Sequence, residues 1–172
     1  TGIWFLRRER FPIGKGVDIV GAVLPIGLFF GRLGCFLGGC CFGLPTDGPF
    51  GLSFPPGPPA SYEQAEAGLL ADKVFASLPV HPTQLYEALL GLLLVGMCFW
   101  LFQRRAFRGQ VLLSLCMVYG GVRFFLEYLR DDPERGSAFG FSTSQLISLG
   151  LVPIAGVAYS LLRKPKPATL QP

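Results

Sequence analysis

The sequence predicts an all-α fold, a polytopic membrane helical bundle with about four transmembrane helices. Three observations carry this. The 172 residues are 51% hydrophobic and only 15% charged, whereas soluble domains average about 25% charged residues. Four stretches reach the roughly 20 apolar residues that a helix needs to cross a bilayer. Lys and Arg also segregate between alternate connections, as expected for a chain threaded through a membrane. The same composition excludes a disordered chain, whose mark is low hydrophobicity. A net charge of +4, with basic residues in short clusters between apolar runs, argues against a nucleic-acid partner.

The spans follow in order. The first, Val17–Leu37, carries only Asp18 and Arg32. The second, Leu85–Phe102, carries only Glu87, and the third, Val111–Tyr128, is interrupted by Arg123 and Glu127. The fourth, Gln145–Leu162, has no charge. Residues 1–172 are read as a single membrane domain. Thr1–Arg10 lacks the basic-then-apolar pattern of a secretory leader, and the chain starts on Thr. It is expected to be part of a longer polypeptide with further spans upstream.

Ten of the Lys and Arg residues fall on one side if four spans alternate: Arg7, Arg8, Arg10, Lys15, Arg104, Arg105, Arg108, Arg163, Lys164 and Lys166. Only Lys73, Arg130 and Arg135 fall on the other. Positive residues stay cytoplasmic, so both ends are placed inside, and the 43–80 and 129–144 connections outside. The first half of the 43–80 loop is too rich in Pro and Gly for a helix. Its second half, Glu63–Leu78, suits a short helix with Leu70, Val74 and Leu78 on one face. A loop this long between two spans is expected to wall or cover a substrate site.

Ionisable groups inside spans are costly and usually face a bundle interior or a substrate path. Arg32 can snorkel to the interface or bind a lipid phosphate through its planar fork. Tyr119, Arg123 and Glu127 share one helical face at steps of four, with Arg130 just beyond. An Arg123–Glu127 pair would neutralise both charges, but apolar residues would do so at lower cost, which favours a functional polar face. His81, the only histidine, and Pro82 open the second span. Glu87 lies near its first turn, where a carboxylate also suits the helix dipole. Gly27, Gly31, Gly34, Gly38, Gly39 and Gly43 give small-xxx-small spacings that suit close helix packing and equally leave room for a headgroup.

Five cysteines do not make a secreted disulfide framework. Cys98 and Cys116 sit in apolar runs as small hydrophobes. Cys35, Cys40 and Cys41 lack the C-x-x-C pairs of common zinc sites, and a disulfide between adjacent cysteines would be strained. No metal ligand set is expected from this spacing.

Three segments together resemble the prolipoprotein diacylglyceryl transferase family. Residues 31–43, GRLGCFLGGCCFG, resemble its signature G-R-[IL]-G-N-F-[IL]-N-G-E-x-[WY]-G. Residues 81–87, HPTQLYE, are similar to its HPSQLYE segment, and 119–130, YGGVRFFLEYLR, to its Y-G-x-x-R-x-x-x-E-x-x-R segment. The resemblance implies a multi-pass enzyme of the bacterial inner membrane. Such an enzyme moves the diacylglyceryl group of phosphatidylglycerol onto the lipobox cysteine thiol in prolipoprotein signal peptides. It implies no cofactor and no metal. Arg32 and Arg123 match the family's two essential arginines, Gly43 a signature glycine, and Tyr119 and Glu127 further family positions. With His81, these form the expected catalytic set of Arg32, Arg123, Glu127, His81 and Tyr119. Arg32, Gly43, Cys35, Cys40, Tyr86 and Arg130 form the expected substrate-binding set. Cys35, Gly38 and Cys40 stand where the signature has Asn, Asn and Glu, and the family's His-Gly-Gly motif has no counterpart.

The chemistry needs cations for a leaving phosphate, a base for the incoming thiol and a site open sideways to lipid. His81 and Glu127 are both candidate bases. Two other readings stay open at this point: a catalytically impaired lipid-binding relative, and a membrane thiol–disulfide protein using Cys35, Cys40 and Cys41.

Overall fold

The computed structural model describes residues 13–57, 59–130, 137–138 and 140–163. Four helices in it are long and apolar enough to cross a membrane. They are α1 (Ile13–Leu37), α3 (Thr83–Arg104), α4 (Gln110–Leu126, extended by a 3-10 turn at Glu127–Leu129) and α5 (Thr143–Leu162). Each contains the expected span. A short helix, α2 (Pro59–Glu66), and a two-stranded antiparallel pair, β1 (Ser137–Ala138) with β2 (Phe141–Ser142), lie in the connections after the first and third spans.

Packing pairs α1 with α3 and α4 with α5, and α4 also touches α1 and α3. Ala22, Leu94, Cys98, Val111 and Leu115 form the apolar cluster at the centre. Helices approach closely where glycine removes a side chain. A Cβ at Gly21 would lie 2.9 Å from the Leu112 backbone, and one at Gly91 3.0 Å from the Phe29 backbone. Within the expected stripe, Gly43 is approached this closely, by the Leu129 carbonyl. Nothing lies within 4 Å of a Cβ at Gly27, Gly31 or Gly34, so that face of α1 stays open among the described residues.

Near the start of α1, Asp18 is fully buried. Its carboxylate accepts hydrogen bonds from the backbone N–H groups of Gly109 and Val111, both at 3.0 Å, and lies 3.5 Å from Arg105. A residue of α1 thus satisfies the orphan N–H groups at the start of α4. Helix α5 has its own start signal, a capping box between Ser142 and Gln145.

The 43–80 loop differs from the expected helix over Glu63–Leu78. The helix is Pro59–Glu66, and Gly68, at φ +74°, ends the helical path beyond it. Leu70, Val74 and Leu78 therefore share no helical face. The rest of the loop is a packed cap. Extended bridges join Gly43 to Arg130, and both Pro45 and Leu52 to Val80. Phe42, Phe54, Ala60 and Val80 are buried beneath it, with Phe36 of α1 against them. Arg7, Arg8, Arg10, Arg135, Lys164 and Lys166, which helped set the expected orientation, lie outside the described residues.

Candidate functional site

The end of the bundle opposite Asp18 collects charge around one buried carboxylate. Glu87 sits one turn into α3, fully buried. Arg32 of α1 reaches it with Nη2 at 2.8 Å from Oε2. Arg130, beyond the 3-10 turn, and Arg123 of α4 approach Oε1 at 3.4 and 3.9 Å. Arg123 also holds Glu127 at 2.6 Å and donates to Ser144 Oγ at 3.3 Å, which ties α4 to α5. Three guanidinium groups thus face two carboxylates, leaving a surplus of one positive charge. The Arg32 contact is short, yet Glu87 Oε2 lacks an aligned hydrogen bond. The contact is therefore Coulombic more than directional, and an aligned acceptor can compete for the donors of Arg32.

Sequence placed these groups for different reasons. Arg32 and Arg123 belong inside because a guanidinium facing lipid is too costly. Glu87 lies beyond the first turn of α3, which contains no acidic residue, so its partners are the arginines rather than the helix dipole.

The cap supplies the neighbouring wall. Gly43 N–H donates to the His81 carbonyl at 2.8 Å, and Leu44 N–H to the Leu129 carbonyl at 2.9 Å. A Cβ at Gly43 would overlap the Leu129 carbonyl and lie 2.8 Å from Thr83 Cγ2 and 2.9 Å from His81 Cβ. Only glycine fits where the His81 and Arg130 segments meet. The His81 ring, half-buried, has Nδ1 3.4 Å from the Tyr86 hydroxyl.

Between α1 and the cap lie three thiols. The Sγ atoms of Cys35, Cys40 and Cys41 are all within 4.8 Å of one another, and all three cysteines are free. Gln84 Nε2 donates to the Cys40 carbonyl at 2.7 Å, and Thr83 Oγ1 to the Cys41 carbonyl at 2.9 Å. Burial, then Cys41 and Cys35 beside it, pushes the Cys40 thiol up to about 11. Burial also raises Cys41, but hydrogen bonds from Arg130 and Cys40 and the charges of Arg130 and Arg32 outweigh it, and its thiol falls below the ordinary value.

The arginines and cap glycine come from the same three sequence segments that suggested a family, and comparison decides which one. The family described as prolipoprotein diacylglyceryl transferase matches residues 1–161. The chain belongs to the prolipoprotein diacylglyceryl transferase family. Among its relatives, a phosphatidylglycerol–prolipoprotein diacylglyceryl transferase of Clostridium tetani is 31% identical over 159 residues, covering 92% of this chain and 58% of the relative. One of Nitratidesulfovibrio vulgaris is 34% identical over 175 residues, covering 99% and 58%. One of Xylella fastidiosa strain M23 is 36% identical over 172 residues, covering 88% and 55%. The chain thus spans a little more than half the length of these relatives.

Within this transferase-family chain, Arg32, Arg123, Arg130 and Glu127 come together, with Gly43 adjoining Arg130. His81 flanks Gly43 and its ring faces the Tyr86 hydroxyl, and Cys35 and Cys40 sit with Cys41. Tyr119 lies one turn from Arg123 and packs against the central apolar cluster. Sequence reading gave Glu87 no place in the site, and it did not single out Gln84, Thr83 or Asp18. A signal existed for two of them. Gln84 and Glu87 are three apart and share a helical face, and both are fully buried.

Proposed function

We propose that this chain forms the phosphate-handling part of a phosphatidylglycerol–prolipoprotein diacylglyceryl transferase in the bacterial inner membrane. Its lipid substrate is phosphatidylglycerol, and its acceptor is the lipobox cysteine of a prolipoprotein signal peptide. The observation that carries this reading is the gathering of Arg32, Arg123 and Arg130 on Glu87. The surplus positive charge matches the single negative charge of a phosphodiester. Three planar donors suit its oxygens better than a single point charge would.

The acceptor thiol loses its proton, and its sulfur attacks a glycerol carbon. The carbon–oxygen bond to phosphate breaks, and its electron pair leaves with glycerol phosphate. Negative charge grows on the phosphate as that bond stretches, and preorganised guanidinium groups in a dry site stabilise it. Glu87 keeps the arginines together before lipid arrives. Glu127 is committed to Arg123 at 2.6 Å. His81 has Nδ1 turned to Tyr86, which leaves Nε2 to take the thiol proton, and we assign it as the base. The thioether product keeps both acyl chains in lipid.

The test uses vesicles of phosphatidylglycerol with the complete polypeptide that contains this chain and a lipobox peptide. Glycerol phosphate release with a matching mass gain on the peptide is expected, and Arg123→Ala should abolish both. Lipid binding without release would refute the transfer reading and leave a lipid-binding relative.

A further inference from the structure

We infer that Cys35, Cys40 and Cys41 form an all-sulfur binding site for a single thiophilic d10 metal ion, with monovalent copper its best fit. The first ground is geometry. Three Sγ atoms lie within 4.8 Å of one another. A metal bonded to three sulfurs at about 2.3 Å needs them about 4 Å apart, so sub-ångström side-chain rotations suffice. A packing role looks different in this chain. Cys98 is fully buried in the apolar cluster, whereas the three clustered cysteines are only partly covered.

The second ground is the backbone. Cys41 has φ +62°, the left-handed region that favours glycine, and Gly39 has φ +64°. The turn folds the chain back so that residues 40 and 41 meet Cys35 in the last turns of α1. A thiol is kept at Cys41 where glycine would be the relaxed choice. Such an outlier points to a demand on the side chain. Gln84 and Thr83, both fully buried, pin the carbonyls of Cys40 and Cys41 from α3, and the Cys40 N–H donates to the Cys35 carbonyl at 3.1 Å, so two ligands are pinned from α3 and tied to the third through the backbone.

The donor set selects the ion. Three soft thiolates suit monovalent copper, whereas structural zinc is almost always four-coordinate. Among the described residues, no fourth Cys, His, Asp or Glu joins the group. Binding converts three thiols to thiolates, releases three protons to solvent and changes no oxidation state. The complex carries two negative charges and lies where the charges of Arg130 and Arg32 already act on Cys41. Cys35 and Cys40 stand where the signature that residues 31–43 resemble has Asn and Glu.

The complete polypeptide in detergent, reduced under anaerobic conditions with a phosphine, is titrated with monovalent copper buffered by a chromogenic chelator. One equivalent is expected to bind, with a near-ultraviolet thiolate-to-copper band and three sulfur neighbours in X-ray absorption. Cys35→Ser should weaken binding at least about tenfold, since even an outer-shell loss costs 10–100-fold. Cys41→Gly should do the same while relaxing the backbone, so that lost binding is separated from lost folding. Cys116→Ser, outside the cluster, should leave copper binding intact. Failure of the parent protein to take copper from the chelator would overturn the proposal. So would a folded Cys41→Gly protein that binds as tightly as the parent, or a preference for zinc over copper at the same thiols.

Discussion

Replacing Glu87 by Gln removes one charge and almost no volume, and the structure lets its effect be worked out in both directions. Arg32, Arg130 and Arg123 lie 2.8, 3.4 and 3.9 Å from its oxygens. At an effective dielectric of about 20, each such contact is worth roughly 4–6 kcal/mol of gross attraction, most of it offset by desolvation. Removing one member of a buried pair leaves the partner uncompensated, at a cost of about 3–5 kcal/mol. For a chain of this size, each kcal/mol lowers the melting temperature by roughly 2–4 °C. Glu87→Gln is therefore expected to melt about 6–20 °C lower, measured by intrinsic fluorescence in a neutral detergent. Phosphatidylglycerol should restore part of that loss, because the arginines then gain an anion. Phosphatidylcholine, with no net charge, should not. Combining it with Arg32→Gln should cost less than the two single changes added together, since the second change removes one of the cations that the first leaves unpaired. A variant that melts within about 2 °C of the parent, or that is rescued equally by both lipids, would refute Glu87 as the centre of the arginine cluster.

Gly43→Ala should force the cap off the Leu129 carbonyl, costing about 1–3 kcal/mol, and expose the 43–80 loop to limited proteolysis. A protease-resistant variant would mean that the cap adjusts freely. Asp18→Ala should cost about 1.5–3 kcal/mol through loss of two charge-assisted hydrogen bonds, read as a lower melting temperature that phosphatidylglycerol does not restore. Gly21→Ala should destabilise through the Leu112 backbone. Gly27→Ala, facing open space, should be neutral or gain up to about 1 kcal/mol from helix propensity, and the reverse order of melting temperatures would contradict the packing. In a cysteine-free background, a thiol at Asp47 should react with an impermeant reagent from outside the cell, and one at Arg108 only after permeabilisation. Both positions are exposed, so the opposite pattern would invert the topology.

The spans were legible because bilayer thickness sets both their length and their composition. Arg32, Arg123 and Glu127 stood out for the same reason, as charges where charge is expensive. Glu87 was equally visible but carried a sufficient local explanation, the dipole of α3, and nothing in a linear sequence says that three arginines from two other segments end on it. The cap was illegible for a related reason. Ala, Leu and Glu at 63–78 have helical propensity, yet Gly68 and the pairing of Pro45 and Leu52 with Val80 decide the conformation, and pairing across 35 and 28 residues leaves no periodic trace. The thiol cluster was hidden because C-x4-CC reads as a poor ligand spacing until a left-handed residue at Cys41 folds it back.

The carboxylate of Asp18 has a consequence for how this protein is made. Its backbone partners lie 91 and 93 residues further along the chain. At about 5–20 residues per second, a ribosome needs roughly 5–20 s to deliver them. During that interval Asp18 lacks the backbone partners that it has in the folded bundle, and Arg32 still awaits Glu87. Both charges of α1 thus gain these partners only after α3 and then α4 have been made, so their burial in the bundle is a late event in synthesis.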